Sequence, residues 1–160
     1  MKKRNNSIIL IIFLLTSCIG AGTLGGFDLR TFPVSKRKIV LAIDTLYKHY
    51  PEYKIPDKWK IYDDWHKRGY DFLDSRIFYF KKYPEEMYYV TFYGDANDSI
   101  QVDTTKTSLS IRTYHNEQFN RWIKEENCNS KEKKRIQKRF DEEIISKVEL
   151  YLNSKVIIEK

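Results

Sequence analysis

The sequence predicts an α+β fold, in which an antiparallel sheet of about four strands packs against N- and C-terminal helices as a two-layer sandwich. Apolar residues recur every three or four positions before residue 51 and after residue 129, which indicates amphipathic helices. Between these regions, runs rich in Tyr, Phe, Ile and Val are separated by short polar turns. Short connections favour antiparallel neighbours, so the middle of the chain is predicted to form a meander.

The first helix is predicted from Lys36 to about Tyr50. Ser35 precedes it as a favourable N-cap residue, and Pro51 ends it because proline has no amide hydrogen to donate. The predicted buried face consists of Ile39, Val40, Ile43, Leu46, Tyr47 and Tyr50. The following stretch, 56–74, mixes aromatic and charged residues and predicts only a short helix near its start.

The four predicted strands cover residues 76–81, 87–93, 99–103 and 108–114. Side chains alternate between the two faces of a strand, so the second and fourth strands indicate which residues face the core. The face toward the helices is expected to hold Tyr88, Val90, Phe92, Leu109, Ile111 and Thr113. The opposite face is expected to show Tyr89, Tyr93, Arg112 and Tyr114.

This second face is the candidate binding surface. Tyr and Arg are enriched at protein interfaces, and tyrosine rings also stack against sugars, so a protein or a glycan is the expected partner. Two simpler interpretations remain. The tyrosines can merely cover a half-solvated sheet, or they can pack beneath the 56–74 segment.

Two helices are predicted to close the domain. The first covers 117–126, with Asn116 as its cap and with Phe119, Trp122 and Ile123 turned inward. The second runs from Ser130 to about Asn153, after a capping box formed by Asn129 and Glu132. Its apolar stripe consists of Ile136, Phe140, Ile144, Val148 and Leu152.

The composition excludes several classes of protein. A chain of 160 residues that is 41% hydrophobic and 15% aromatic is neither disordered nor a collagen-like fibre, and its two cysteines cannot form a disulfide-rich scaffold. The formal charge is +7, but three of the basic residues lie within the first four positions. Because no nucleic-acid-binding motif is present either, we expect no nucleic-acid partner.

The first seventeen residues have the organisation of an export signal. Lys2, Lys3 and Arg4 form a basic segment, and an apolar run of eight residues follows over 8–15. A helix that spans a bilayer needs about 20 apolar residues, so this run is too short to be one.

The apolar run ends in Leu15-Thr16-Ser17-Cys18, which resembles the lipobox of bacterial lipoprotein precursors. The resemblance implies cleavage before Cys18 and attachment of a lipid to its sulfur. It also implies a diacylglyceryl group and, usually, an amide-linked acyl chain. More than one acyl chain gives durable membrane attachment, so the membrane is an expected partner through the lipid on Cys18.

The sequence then divides into a signal peptide (1–17), a lipidated cysteine with a Gly-rich tether (18–26) and a single domain (27–160). A tether of this composition behaves as a flexible coil with a reach of roughly 16 Å. The composition resembles that of lipoproteins from Bacteroides-like bacteria, whose surface-exported members carry acidic residues after the cysteine. Residues 19–22 contain none, which favours the periplasmic face of the outer membrane.

Two short patterns resemble the O-glycosylation sites of the same bacteria. They place candidate glycans on Ser99 and Thr104, each directly after an aspartate and near a predicted turn. Thr45 lies in a third copy of the pattern, but within a predicted helix. The pattern has only three residues, so it supports the compartment weakly.

Candidate catalytic groups are few. Asp63, Asp64 and His66 lie close in sequence, as do Asp71 and Asp74, and paired carboxylates can carry out acid–base chemistry when their environments differ. The alternative is that these residues form solvated turns or local ion pairs. Cys128 has no visible base beside it and is expected to be an inert thiol. No metal site and no cofactor are expected.

The sequence therefore favours a lipid-anchored envelope protein that binds a partner and is not an enzyme. Two alternatives stay open. The first is a small envelope hydrolase that uses the Asp and His residues of 63–74. The second is an immunity- or inhibitor-type lipoprotein that blocks an attacking enzyme.

Overall fold

The structure, a computed structural model, describes residues 26–70, 73–93 and 105–159. Six strands of these residues form one antiparallel sheet. The strands are β1 (Leu29–Phe32), β2 (Ser75–Phe80), β3 (Glu86–Tyr93), β4 (Thr107–Asn116), β5 (Trp122–Lys124) and β6 (Ile157–Glu159). Their order is β2-β3-β4-β1-β6. The remaining strand, β5, pairs with residues 113–115 of β4, on the same edge of β4 on which β1 pairs with residues 107–109.

The α+β class and the antiparallel sheet are confirmed, but the sheet has more strands than the four expected. The strands β1, β5 and β6 have only three or four residues each, too few for a recognisable alternation. Residues 122–124, predicted to belong to a helix over 117–126, form β5 instead. The predicted strand over 99–103 lies outside the described residues.

The helices lie on one face of the sheet. The first, α1 (Lys36–His49), buries Ile39, Ala42, Ile43 and Leu46. Of the predicted face, Ile39, Ile43 and Leu46 are buried, whereas Val40, Tyr47 and Tyr50 are only half-buried. Ser35 occupies the N-cap position, but its side chain accepts no hydrogen bond from the helix. Two 3-10 turns follow, at Pro51–Tyr53 and Asp57–Tyr62.

The C-terminal helix is one continuous rod with a change of winding in its middle. It consists of α2 (Ser130–Phe140), a π-helical turn (Asp141–Ile145) and α3 (Ser146–Leu152). Four of the predicted stripe residues, Ile136, Phe140, Ile144 and Val148, are fully buried. They recur every four residues, whereas an α-helix has 3.6 residues per turn, and the wider π turn compensates for the resulting drift.

A β-bulge in β4 determines which residues face the helices. Tyr89 pairs with Thr113, and the next residue, Val90, pairs with Ile111, so β4 has one residue more than β3 between these two pairs, Arg112. Beyond the bulge the facing residues change sides. Tyr114, predicted for the opposite face, therefore lies in the core beneath the helices, and Thr113, predicted for the core, lies on the opposite face.

The interface between the C-terminal helix and the sheet contains charged residues as well as apolar ones. Arg30 of β1 is buried and donates to both carboxylate oxygens of Asp141, at 2.7 and 2.8 Å. Glu86 of β3 is also fully buried and binds Arg135 and Arg139. Charges removed from water need such partners, so these ion pairs fix how the helix lies across the sheet.

Candidate functional site

The second face of the sheet is covered by the segment that follows the 3-10 turns. The Trp65 ring stacks on Tyr89 with the ring centroids 4.1 Å apart, and Trp122 of β5 packs against both. Tyr89 is consequently buried. Of the interpretations that the sequence left open, packing beneath the 56–74 segment is the one observed, and the prediction that Tyr89 is exposed is wrong.

His115 lies at the centre of this aromatic layer. Its ring is 4.2 Å from Tyr62, 5.0 Å from Trp59 and 5.6 Å from Trp122, measured between centroids. The residue is 1% exposed, and neither ring nitrogen has a hydrogen-bond partner among the residues that the structure describes. Burial lowers the pKa of His115, because the charged imidazolium loses its hydration there.

Of the predicted binding surface, Tyr93 and Arg112 remain at least partly accessible. The Arg112 guanidinium lies 4.0 Å from the centre of the Tyr93 ring, and its Nε donates to the Thr91 hydroxyl at 2.8 Å. Tyr114 is fully buried and donates to Glu132 at 2.5 Å. The prediction that Tyr114 is exposed is wrong because the bulge turns it toward the helices.

Two of the residues suggested for a hydrolase, Asp64 and Asp74, form local ion pairs. Asp64 accepts from Arg68 at 2.8 Å, one helical turn away, and His66 is exposed in the same turn. Asp63 is exposed as well; partial desolvation, followed by the nearby charge of Asp64, raises its pKa.

The other candidate carboxylate, Asp74, binds Arg76 at 3.0 Å and Lys36 at 3.1 Å. Asp71 lies outside the described residues, as do Cys18, Ser99 and Thr104. Cys128 is buried, its thiol donates to the Lys124 carbonyl, and burial, followed by the charge of Glu132, raises its pKa. Within the described ranges, no three His, Cys, Asp or Glu side chains are grouped as metal ligands.

A second accessible surface lies at one end of the sheet. We call it the loop end and define it as residues 57–62, 81–85 and 117–121. It shows three exposed apolar side chains: Tyr83, Ile61 and Phe119 are 87%, 72% and 49% exposed. Phe119 was predicted to point inward, but 117–121 forms a turn rather than a helix.

Polar contacts hold the three parts of the loop end together. Tyr62 donates to Asn120, Gln118 lies 3.5 Å from the Tyr83 hydroxyl, and Lys58 binds Glu85 at 2.6 Å. Although burial opposes it, the hydrogen bonds from Lys58 and Tyr79 lower the pKa of Glu85. These contacts hold the three segments that carry the exposed apolar residues in a fixed arrangement.

Sequence reasoning missed both His115 and the loop end. The turn at 117–121 has a local signal, since Asn116 and Asn120 are turn residues and Asn120 adopts a positive φ of 48°. No local sequence signal indicates which face of the sheet carries His115, because the bulge at Arg112 determines that face.

The chain was compared with known protein families, proteins and structures. No protein-family model, curated protein or solved structure matches the chain. None of the helices among the described residues has the length and apolar character needed to cross a bilayer.

Proposed function

We propose that the protein is a lipid-anchored component of the bacterial cell envelope that acts as a binding module. One observation carries the proposal: a basic segment, an apolar run and Leu15-Thr16-Ser17-Cys18 follow one another in the order of a lipoprotein signal. A diacylglyceryl group and an amide-linked chain on Cys18 would provide the several acyl chains that stable anchoring requires. The proposed location is the periplasmic face of the outer membrane, because residues 19–22 carry no acidic side chain.

Labelling with a fatty-acid analogue in a bacterial host tests the anchor. The wild-type protein should incorporate the label and enter the detergent phase on phase separation. Cys18→Ala should do neither, whereas Cys128→Ala, which removes the buried thiol, should behave as the wild type. The anchor is refuted when wild type and Cys18→Ala are labelled equally or when both stay in the aqueous phase.

The binding role is supported by Arg112 and Tyr93. The Arg112 guanidinium lies over the Tyr93 ring, and both residues are partly accessible next to the covered part of the sheet. Tyr and Arg are enriched in the buried centres of protein interfaces and among the residues that contribute most to binding free energy. We infer that an envelope protein is the partner.

A photo-crosslinking amino acid at position 93 tests this role in intact cells. We expect one adduct of defined mass at position 93, which Arg112→Ala weakens. The control position is 151, where Tyr151 on α3 is also partly exposed. The binding role is refuted when position 93 gives no protein adduct, or when both positions give the same adducts.

A further inference from the structure

We infer that the loop end is a membrane-docking surface, which lies against the phospholipid headgroups of the bilayer that holds the Cys18 lipid. This inference rests on the proposed anchor. It adds a second membrane contact, made by the folded domain itself.

The first argument is the position of the first residues that the structure describes. β1 runs antiparallel to β4, with Phe32 opposite Thr107 and Arg30 opposite Leu109. Going back along the chain from β1 therefore leads toward the Asn116 end of β4. Phe27 already donates to the carbonyl of Ile111. Gly26, the first residue that the structure describes, thus lies nearer than β1 to the end of the sheet that carries the loop end.

The second argument is length. Gly26 lies close to Arg112: a Cβ on Gly26 would be 3.6 Å from the Arg112 side chain. Asn116 lies four positions beyond Arg112 in β4, which is about 13 Å at the rise of a strand. Eight residues connect Cys18 to Gly26 and span at most about 28 Å when extended. The loop end can therefore reach the headgroups while the lipid on Cys18 stays in the bilayer.

The third argument is chemical. Ile61, Tyr83 and Phe119 combine an aliphatic and two aromatic side chains, which are the types that enter the boundary between headgroups and acyl chains. The loop end also carries five basic and three acidic residues. Lys81, Lys82 and Arg121 form no ion pair with any residue that the structure describes, so their charges are available to anionic lipids.

The test uses the lipidated protein, processed in a bacterial host and reconstituted into vesicles of phosphatidylethanolamine and phosphatidylglycerol that contain a nitroxide-labelled lipid. A fluorescent label is attached to Gln118→Cys on the loop end. The control is a label at Leu150→Cys, because Leu150 is 79% exposed in the wild type. Leu150 precedes β6, which starts opposite Thr31 at the other end of the sheet. Cys128 is buried, so the unsubstituted protein serves as the labelling blank.

We expect the lipid nitroxide to quench the label at position 118 and to leave the label at position 150 nearly unquenched. Lys81→Glu with Lys82→Glu should reduce quenching at position 118, because each lysine near an anionic surface contributes about fivefold to membrane binding. Tyr83→Ser with Phe119→Ser should reduce it as well. Leu41→Ser removes an exposed apolar side chain from α1 and should leave it unchanged.

Flotation of the vesicles separates the two proposals. Docking is overturned, and the anchor stays intact, when the protein floats with the vesicles but positions 118 and 150 are quenched equally. The same holds when the protein floats but position 118 is not quenched, which is the result expected if the loop end binds a protein partner. Protein that does not float overturns the anchor and, with it, the docking surface. Circular dichroism and the melting temperature of each variant confirm that the fold is retained.

Discussion

Glu86 and Arg135 form a two-point ion pair between the sheet and the C-terminal helix. The two terminal guanidinium nitrogens of Arg135 donate to the two carboxylate oxygens of Glu86, at 2.9 and 2.6 Å. Arg139 adds a third donor at 3.1 Å, and the Tyr88 hydroxyl a fourth at 2.9 Å. Glu86 itself is inaccessible to solvent, so every one of its interactions is made within the protein.

Glu86→Gln is expected to lower the free energy of unfolding by about 3 kcal/mol, because it leaves Arg135 and Arg139 without their buried counter-charge. Urea unfolding followed by circular dichroism measures the loss. Glu142→Gln is the control, since Glu142 pairs with Lys138 at 3.7 Å in an exposed position where about 1 kcal/mol or less is expected. Equal losses in the two variants would show that the buried pair contributes no more to the free energy of unfolding than the exposed pair does.

His115 is expected to make the fold less stable in mild acid. Its pKa is lowered by burial, so below the ordinary value of 6.5 the unfolded chain takes up a proton that the folded protein resists. Stability should be complete above pH 6.5 and fall as the pH drops below it, until the pKa of the folded state is reached. Asp63 acts in the opposite direction, because partial desolvation and the nearby charge of Asp64 raise its pKa.

His115→Phe isolates this effect. The variant keeps an aromatic ring between Tyr62 and Trp59 but cannot be protonated. Urea midpoints measured at pH 8 and pH 5.5 should differ more for the wild type than for the variant. The same pH dependence in both proteins would assign it to other groups.

The two N-caps give a matched pair of substitutions. Asn129 accepts a hydrogen bond from the Glu132 amide at 2.9 Å, so Asn129→Ala should cost about 1 kcal/mol of unfolding free energy. Ser35 makes no such bond, and Ser35→Ala should cost less than about 0.5 kcal/mol. Thermal unfolding of both variants checks the difference; a larger loss for Ser35→Ala would contradict it.

Trp65 is expected to hold the covering segment on the sheet. Trp65→Ala removes the ring that stacks on Tyr89 and should lower the free energy of unfolding by about 2 kcal/mol, less than for a fully buried tryptophan. Limited proteolysis should then cut faster at Lys67 and Arg68. Tyr83→Ala, at an 87% exposed position, should change neither property. Unchanged cleavage in Trp65→Ala would show that other contacts hold the segment.

Features determined by local sequence were predictable. The Asn129 cap, the stripe from Ile136 to Val148 and the alternation over Tyr88 and Val90 depend on residues close in the chain, and the structure confirms all three. The π turn at Asp141–Ile145 was not predicted, although the four-residue spacing of the stripe already departs from 3.6.

Features that depend on distant contacts were not predictable. β5 forms because β4 offers Thr113, Tyr114 and His115 as pairing partners, which overrides the helical pattern around Trp122. The exposure of Tyr89 was misjudged because nothing in its own strand shows that Trp65 will cover it. Of the residues expected on the accessible face, Tyr93 and Arg112 remain partly accessible, whereas Tyr89 and Tyr114 belong to packed layers.

The extra residue in β4 is a position at which the strand can lose a residue without exchanging its two faces. Tyr89 pairs with Thr113 and Val90 with Ile111, so a chain that lacks Arg112 would match β3 and β4 residue for residue. Thr113 would stay on the opposite face, and Tyr114 would stay beneath the helices within reach of Glu132. An alignment of related chains should therefore tolerate a gap at position 112 while the order of apolar and polar residues on either side of it is kept.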